Sequence, residues 1–202
     1  MKKNIISFGL IGFSVLLFSC NNDKDSSTTT SDTTTTTTTD VTVDTSMTTP
    51  APTTTMSTTP LGESDKKFVM EAASGGMMEV ELGRLAEQNA SDPRVKNFGT
   101  MMVRDHSNAN TELKALASAK STMLTDSLMA KHKMHMDNLR KKTGKDFDKA
   151  YMNMMVQDHM EDVSKFQMAA NKAMDADLKA FANKTLPVLR VHLDSAKAIS
   201  KH

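Results

Sequence analysis

The sequence predicts an all-α fold, a four-helix bundle made of two helical hairpins. Three observations lead to this prediction. Apolar side chains recur every three to four residues through most of residues 61–202. The same stretch has no clean alternation of apolar and polar residues and no run of β-branched residues of the kind that strands need. Turn signals, among them Asp92-Pro93 and Thr143-Gly144, divide it into segments of helical length.

Local signals set the boundaries of the helices. Asp92 is predicted as the N-cap of the second helix, because its carboxylate can accept from free N–H groups and Pro93 suits the first helical position. Thr143-Gly144 is predicted to end the third helix. Pro187 is expected to kink the fifth helix or to shorten its first half. The five predicted helices span about residues 64–89, 93–120, 127–142, 146–173 and 175–200.

Four of these helices are long, about 40 Å each at ~1.5 Å per residue, and the third is short. The first two helices are expected to form one hairpin and the last two a second hairpin, joined by the short helix as a crossover. Such an arrangement is ferritin-like in outline. Residues 61–202 are therefore interpreted as one ferritin-like helical domain with a single core.

The first 20 residues are predicted to be a lipoprotein signal peptide. Two lysines precede an apolar run over residues 5–18, which is too short for a stable membrane span, and Ser19-Cys20 follows it. This ending resembles a bacterial lipobox, in which the thiol of the cysteine becomes lipid-modified. Cys20 is thus the predicted lipidation site and the membrane is the predicted partner, although an accidental cysteine or an uncleaved anchor is the alternative. Because Asn rather than Asp follows Cys20, the outer membrane is the expected location, on its periplasmic or cell-surface face.

Residues 21–60 are predicted to be a disordered tether. They contain 19 Thr, five Ser and three Pro and almost no apolar side chains. No core could offset the entropy lost on ordering such a segment. The helical domain is therefore expected to act at a distance from the membrane.

Composition argues against several classes of function. Residues 61–202 carry 22 Lys and Arg against 19 Asp and Glu, a net charge of +3, and the whole chain has no Trp and one Tyr. Neither the charge nor the aromatic content suits a nucleic-acid-binding protein, so no nucleic-acid partner is expected. The only cysteine is Cys20, so the domain has no thiol for catalysis. Familiar catalytic motifs are missing as well, and the sequence favours a non-enzymatic role.

One carboxylate and three imidazoles are candidates for a metal site. Glu79, His106, His159 and His192 each lie near the middle of a long predicted helix and on its apolar stripe. Residues at the middle of bundle helices meet in one layer whichever way the helices run, and bundles build metal sites in such layers. Imidazole and carboxylate ligands suit one divalent transition metal such as Zn, Fe or Cu.

Asp105 and Asp158 each precede a candidate histidine and are predicted to orient an imidazole on a neighbouring helix. They belong to an internal repeat, since Met101–His106 matches Met154–His159 at five of six positions. The repeat is consistent with two related helical hairpins.

A metal-free core is the alternative interpretation. The three histidines would then hydrogen-bond to Glu79, Asp105 and Asp158 in a buried polar layer that sets the register of the helices. The protein would in that case be a structural or stress-related envelope protein acting through its helix surfaces. Periodicity alone does not separate the two hypotheses.

The domain resembles the bacterial family known as domain of unknown function 4142, often described as predicted outer membrane or envelope proteins. The resemblance rests on Glu79-Val80-Glu81-Leu82-Gly83, Met102-Val103-Arg104-Asp105-His106, Phe147-Asp148 with Tyr151, Thr185-Leu186-Pro187 and His192-Leu193. It implies a ferritin-like helical fold in the cell envelope and implies no activity.

The sequence departs from ferritin-like di-iron proteins in its ligand motif. Those proteins place Glu-x-x-His on two of their helices, and this chain contains no Glu-x-x-His. Di-iron oxidation and iron storage are therefore not expected. A site for a single ion, or no metal site, is what the sequence predicts.

Overall fold

The computed structural model describes residues 57–201, which form five α-helices and no β-strand. The helices are α1 (Glu63–Asn89), α2 (Pro93–Ala119), α3 (Ala130–Leu139), α4 (Gly144–Lys172) and α5 (Ala176–Ser200). The all-α prediction is confirmed. The predicted signal peptide and the tether up to residue 56 lie outside the described residues. Within the described part, no helix combines the length and the apolar composition that crossing a bilayer requires.

Side-chain caps account for the starts of α2 and α5. The Asp92 carboxylate accepts from Arg94 N at 2.8 Å, and Pro93 takes the first helical position. The Asp175 carboxylate accepts from Leu178 N at 2.9 Å in the same way. Each cap satisfies an N–H group that has no partner within its own helix. The predicted start of the second helix is confirmed.

The predicted end of the short helix was wrong in detail. The short helix α3 has ten residues and ends at Leu139, so Thr143-Gly144 does not end it. Gly144 instead opens α4 with φ of +59°, a left-handed conformation that costs glycine little. The helix α5 runs unbroken across Pro187, so its first half is not shortened. Buried side chains on both sides of the proline, Leu186 and Leu189, hold the helix in the core.

The four long helices form two antiparallel hairpins, α1 with α2 and α4 with α5. Across the bundle α1 lies beside α4 and α2 beside α5, while α3 packs on α1 and α4. At one end of the bundle Ser91 N donates to the Asp148 carboxylate, and at the other Met174 N donates to the Asp65 carboxylate. All neighbouring long helices therefore run antiparallel, with α3 in the crossover, as the ferritin-like outline requires.

A polar layer divides the core into two apolar clusters. One cluster lies towards the end where α1 begins and includes Val69, Leu116 and Phe166. The other lies towards the end where α1 finishes and includes Leu82 and Phe98. On each long helix, the buried polar residue of this layer lies between residues of the first cluster and residues of the second.

Close contact between α1 and α2 holds the layer in register. A Cβ atom added to Gly83 would lie 2.6 Å from the backbone oxygen of Gly99, and one added to Gly99 would lie 2.7 Å from that of Gly83. Only glycine permits this approach of two helix backbones. The contact lies one turn beyond Glu79 on α1.

Candidate metal centre

The four predicted ligands lie in the core, one on each long helix. Their exposed fractions are 1 % for Glu79, 6 % for His106, 0 % for His159 and 1 % for His192. The helices α1, α2, α4 and α5 supply them in that order. The expectation that they meet in one layer agrees with the structure.

The three imidazoles form a compact set, called here the imidazole group. The ring centroids of His159 and His192 are 5.3 Å apart, those of His106 and His192 are also 5.3 Å apart, and those of His106 and His159 are 5.7 Å apart. Each ring offers one nitrogen such that all three nitrogens lie within 4.8 Å of one another. His159 Nε2 and His192 Nδ1 are 3.4 Å apart.

Glu79 faces this group with both of its oxygens. Its Oε2 lies 2.8 Å from His106 Nδ1, and its Oε1 lies 3.5 Å from His159 Nε2. Glu79, Asp158 and His159 make a second set of three within the same 4.8 Å limit, called here the carboxylate group. The two groups share His159.

Hydrogen bonds to fixed acceptors decide which nitrogen of two imidazoles carries the proton. His159 Nδ1 lies 3.0 Å from the backbone oxygen of Met155, which can only accept, so Nδ1 carries the hydrogen. His192 Nε2 lies 2.9 Å from Asp105 Oδ2. The hydrogen bond from Arg104 holds the pKa of Asp105 below its usual range, so this carboxylate is ionised and also accepts. Both neutral rings therefore carry their lone pair on the other nitrogen.

Those two lone pairs face each other. His159 Nε2 and His192 Nδ1 are both acceptors in the neutral rings, and no proton lies between them at their 3.4 Å separation. Two facing acceptors repel unless a cation lies between them. A polar layer that satisfied itself would place a donor opposite an acceptor here.

Further buried atoms of the layer have no hydrogen-bond partner among residues 57–201. They are Glu79 Oε1, His106 Nε2 and Asp158 Oδ2. Unpartnered buried polar atoms cost free energy, about 1–3 kcal/mol each, and native cores contain few of them. Two of these three atoms are carboxyl oxygens, which accept a positively charged partner when they are ionised.

Burial keeps the imidazoles neutral. It lowers the pKa of His159 to about 3, helped by the neighbouring His106 and His192, and it lowers the pKa of His192 to about 4. The pKa of His106 is also lowered by burial. Neutral imidazole is the form that binds metal ions, so protons compete weakly with a metal here near neutral pH.

Burial has the opposite effect on the carboxyl groups. It raises the pKa of Glu79 well above its usual range, and the charge of Asp158 raises it further. The pKa of Asp158 is raised by burial as well. These carboxyl groups ionise readily only if positive charge comes close to them.

The two predicted orienting aspartates differ in role. Asp105 on α2 accepts from His192 on α5, so it contacts an imidazole on a neighbouring helix. Asp158 makes no hydrogen bond to a histidine in the described part of the chain; it belongs to the carboxylate group and faces Glu79 and His159. Asp105 and Asp158 are equivalent positions of the internal repeat, yet Asp105 contacts the imidazole group and Asp158 belongs to the carboxylate group.

The sequence did not place Asp162 or His132 beside the centre. Asp162 follows Asp158 by four residues and so lies on the same face of α4, a spacing that could have identified it. His132 on α3 is 6 % exposed, and its Nδ1 lies 2.7 Å from Ser74 Oγ. The burial of His132 depends on how α3 docks, and no local pattern reveals that docking.

The imidazole group reaches the surface through a groove between α2 and α5. The groove has a volume of about 510 Å³, and its lining includes Asp105, His106 and His192. Glu112 on α2 and Lys184 on α5 also line it and form an ion pair across it. Ions in the solvent therefore have a route to two of the three imidazoles.

The fold and the centre together define an all-α bundle of ferritin-like outline with a buried layer of histidine and carboxylate. The chain belongs to the family described as "Domain of unknown function (DUF4142)", whose family model matches residues 50–199. The family resemblance seen in the sequence is thereby confirmed. No curated protein matches the chain by sequence.

Solved structures of other proteins share the fold. The crystal structure of a DUF305 fragment from Deinococcus radiodurans superposes with a TM-score of 0.62 at 9 % identity, covering 70 % of this chain and 98 % of that one. CopM in its Cu(II)-bound form gives 0.55 at 14 % identity, covering 68 % and 95 %. CopM in its Ag-bound form gives 0.55 at 14 % identity, covering 66 % and 93 %. These likenesses show the helical fold.

Proposed function

We propose that the helical domain binds one divalent transition-metal ion in the imidazole group and acts as a metal-handling, non-enzymatic protein. The ligands are His159 Nε2, His192 Nδ1 and one ring nitrogen of His106. Glu79 lies beside the ion and supplies negative charge.

The facing lone pairs of His159 and His192 carry this proposal. Met155 O and the Asp105 carboxylate hold the two rings in the tautomers that expose these lone pairs to each other. Metal-binding histidines characteristically donate their second N–H to a carboxylate or a backbone oxygen, and here one ring does each. A cation between the rings turns the repulsion into two bonds.

The spacing of the ligand atoms suits a single ion. Ligands at ~2.0–2.1 Å from a tetrahedral ion lie about 3.4 Å from each other. His159 Nε2 is 3.4 Å from His192 Nδ1 and 3.5 Å from Glu79 Oε1. These atoms therefore stand at ligand spacing with little rearrangement.

The donor set favours Cu²⁺ and Zn²⁺. Imidazole nitrogen is a borderline ligand that suits both, and the affinity of divalent ions for such sites peaks at Cu²⁺. CopM, which shares the fold at 14 % identity, has structures named for Cu(II) and Ag. Cu²⁺ is for both reasons the first ion to test.

The experiment is a calorimetric titration of the purified protein with Cu²⁺ and with Zn²⁺, together with elemental analysis after dialysis. We expect one ion per chain in the imidazole group. His192→Gln removes one ligand with little change in volume and should weaken binding by more than about 100-fold, since even loss of an outer partner costs 10–100-fold. The matched control is His135→Ala, which removes a histidine of α3 outside the imidazole group and should leave this binding unchanged.

Two results would contradict the proposal. One is the absence of a stoichiometric ion in the wild-type protein after loading. The other is full binding by His192→Gln when its circular dichroism shows an intact helical fold. Either result would favour the metal-free polar layer, although the unpartnered atoms of the layer count against that alternative.

We also propose that the domain is held in the cell envelope by a lipid on Cys20. The support is the basic and apolar leader that ends in the only cysteine of the chain. Metabolic labelling with an alkyne fatty acid should mark the wild-type protein, and Cys20→Ser should abolish the label. Labelling that persists in Cys20→Ser would refute the anchor.

A further inference from the structure

The short helix α3 closes one side of the bundle next to the polar layer. It lies on α1 and α4, and its His132 lines a small cavity together with Asp158 and Asp162 of α4. A helix of ten residues is too short to persist alone in water, so α3 depends on its docking. The contacts that dock α3 therefore decide whether this side is covered.

One hydroxyl group on α1 fixes the start of α3. Ser74 Oγ accepts from the backbone N–H of Met129, the residue before α3, at 2.8 Å, and it lies 2.7 Å from His132 Nδ1. Ser74 is 3 % exposed and His132 is 6 % exposed. Within residues 57–201 the hydroxyl group has no other partner, so it donates its own hydrogen to the lone pair of His132 Nδ1. Neutral His132 therefore satisfies every polar atom of this contact.

A proton on His132 Nδ1 disturbs the contact. Nδ1 would become a donor and would need Ser74 Oγ as its acceptor, so the hydrogen of the hydroxyl group would lose its partner in the described part of the chain. The charge of the imidazolium would also be buried, which is costly. In a released helix the same ring would be solvated. Protonation therefore weakens the docked form and leaves the released form unaffected.

Charged groups reach the surroundings of His132 from all three helices that meet there. They are Glu71 of α1, Lys131 and His135 of α3, and Asp158, Glu161, Asp162 and Lys165 of α4. Glu71 and Glu161 are already engaged, because Lys165 lies 3.4 Å from the first and 2.5 Å from the second. Burial raises the pKa of both Asp158 and Asp162, so these two groups offer less negative charge to an imidazolium.

These surroundings disfavour the charged ring. Burial lowers the pKa of His132 to about 4, helped by the positive charges of Lys131, Lys165 and His135. A solvated histidine has a pKa of about 6.5. Docking is therefore at full strength above about pH 6.5 and weakens as the pH falls towards 4, because the released form binds the proton more tightly.

We propose that α3 is an acid-sensitive cover, held at Ser74 and released when His132 takes up a proton. Release exposes the face of α4 that carries Asp158 and Asp162 beneath the cavity. From the two proton affinities, the released fraction at pH 5 should be about 30 times the fraction at pH 7.5. The device involves no metal ion, so it stands or falls separately from the imidazole site.

Hydrogen exchange of the purified metal-free protein, followed by mass spectrometry, measures the release. Amide hydrogens of α3 exchange when the helix opens, and their protection reports the released fraction. After correction for the intrinsic exchange rate at each pH, protection of α3 should fall about 30-fold between pH 7.5 and pH 5. The fall should be confined to α3.

Three variants identify the group that takes up the proton. His132→Asn keeps a polar group near the position of Nδ1 but cannot be protonated, so its α3 protection should be equal at the two pH values. Ser74→Ala removes the hydroxyl group and should lower α3 protection at pH 7.5 by about tenfold, the effect of two hydrogen bonds. The matched control is His135→Gln, which removes the other imidazole of α3 and should keep a fall of at least about tenfold.

Three results would overturn the proposal. One is wild-type protection of α3 that stays constant between pH 7.5 and pH 5. Another is a fall that persists in His132→Asn, and the third is an equal loss of protection in the long helices. If His132→Asn leaves α3 unprotected at both pH values, an NMR titration of His132 in the wild type decides. A pKa well below 6.5 supports the cover, whereas a pKa near 6.5 with α3 still protected overturns it.

Discussion

Glu79→Gln exchanges one carboxylate oxygen for an NH₂ group and leaves the volume of the side chain nearly unchanged. In the wild-type protein Oε2 of Glu79 faces His106 Nδ1 at 2.8 Å, and Oε1 faces the lone pair of His159 Nε2 at 3.5 Å. The amide of glutamine can accept a hydrogen bond on the first side and donate one on the second. The substitution therefore supplies a permanent donor towards His159 Nε2, where the wild-type carboxyl group can donate only while it is protonated.

The metal-free variant should for this reason be more stable than the metal-free wild type. Glutamine supplies at every pH the hydrogen bond that an ionised Glu79 cannot donate to His159 Nε2, and an unpartnered buried group costs about 1–3 kcal/mol. It also removes a carboxyl group whose ionisation burial opposes, since burial raises the pKa of Glu79 well above its usual range. We expect a gain of about 1–2 kcal/mol, which raises Tm by roughly 2–8 °C for a domain of this size.

The affinity for metal should change in the opposite direction. A neutral amide that donates to His159 Nε2 competes with the ion for that nitrogen and brings no negative charge. We expect Cu²⁺ and Zn²⁺ affinities to fall by about 10–100-fold, the cost of losing a supporting carboxylate, which is about 1.4–2.8 kcal/mol of binding free energy.

Differential scanning calorimetry with and without Zn²⁺ measures both effects on one sample. The matched control is Glu81→Gln on the same helix, which neutralises an exposed carboxylate paired with Arg84 and should alter neither quantity. A metal-free Glu79→Gln protein that melts below the wild type, with Zn²⁺ affinity unchanged, would refute the reasoning. That pair of results is what a metal-free polar layer predicts, because Glu79 would then be a stabilising partner of His106.

Three further predictions concern pH and the frame of the bundle. Zn²⁺ affinity should rise with pH in isothermal titrations above the usual pKa of a glutamate, because the ion displaces the proton that burial leaves on the Glu79 carboxyl group, whereas His159 and His192, with pKa values of about 3 and 4, stay neutral there; an affinity that did not change with pH would show that the ion displaces no such proton. Gly83→Ala should cost about 1–3 kcal/mol in urea unfolding, because its Cβ would lie 2.6 Å from the backbone oxygen of Gly99, and a stability equal to wild type would refute the close contact. Lys120→Met should cost about 1–3 kcal/mol in the same assay, because Lys120 Nζ is enclosed and pairs at 2.6–2.7 Å with the two aspartates that begin α5, and an unchanged midpoint would show that these pairs contribute nothing.

The helical frame was predictable because each long helix repeats its apolar residues over seven or more turns. Errors of one or two residues at the ends do not alter such a pattern. The short helix was predicted less well, since ten residues give few repeats and its ends depend on contacts with α1 and α4. Gly144 shows the difficulty: a glycine with positive φ suits the end of one helix as well as the turn that opens the next.

The positions of the candidate ligands along their helices could be read from the sequence, but their chemistry could not. Which ring nitrogen of His192 carries the proton depends on Asp105, which lies on another helix. The split between an imidazole side and a carboxylate side depends on the rotation of α4, which brings Asp158 towards Glu79. Rotations of about 100° separate adjacent residues on a helix, and periodicity resolves them poorly.

The apolar and polar parts of this core follow different rules. Above and below the layer, apolar side chains pack against one another and need no further component. Within the layer, neutral rings present lone pairs to each other and carboxyl groups gather without counter-charge. Sequences that specify a structure consistently tend to break local rules at functional sites, where another component supplies the compensation. A cation satisfies the facing nitrogens and the free oxygens together, so binding and stability should be coupled: at a free ion concentration 100 times Kd, the bound ion adds about 2.7 kcal/mol to the stability of the bundle.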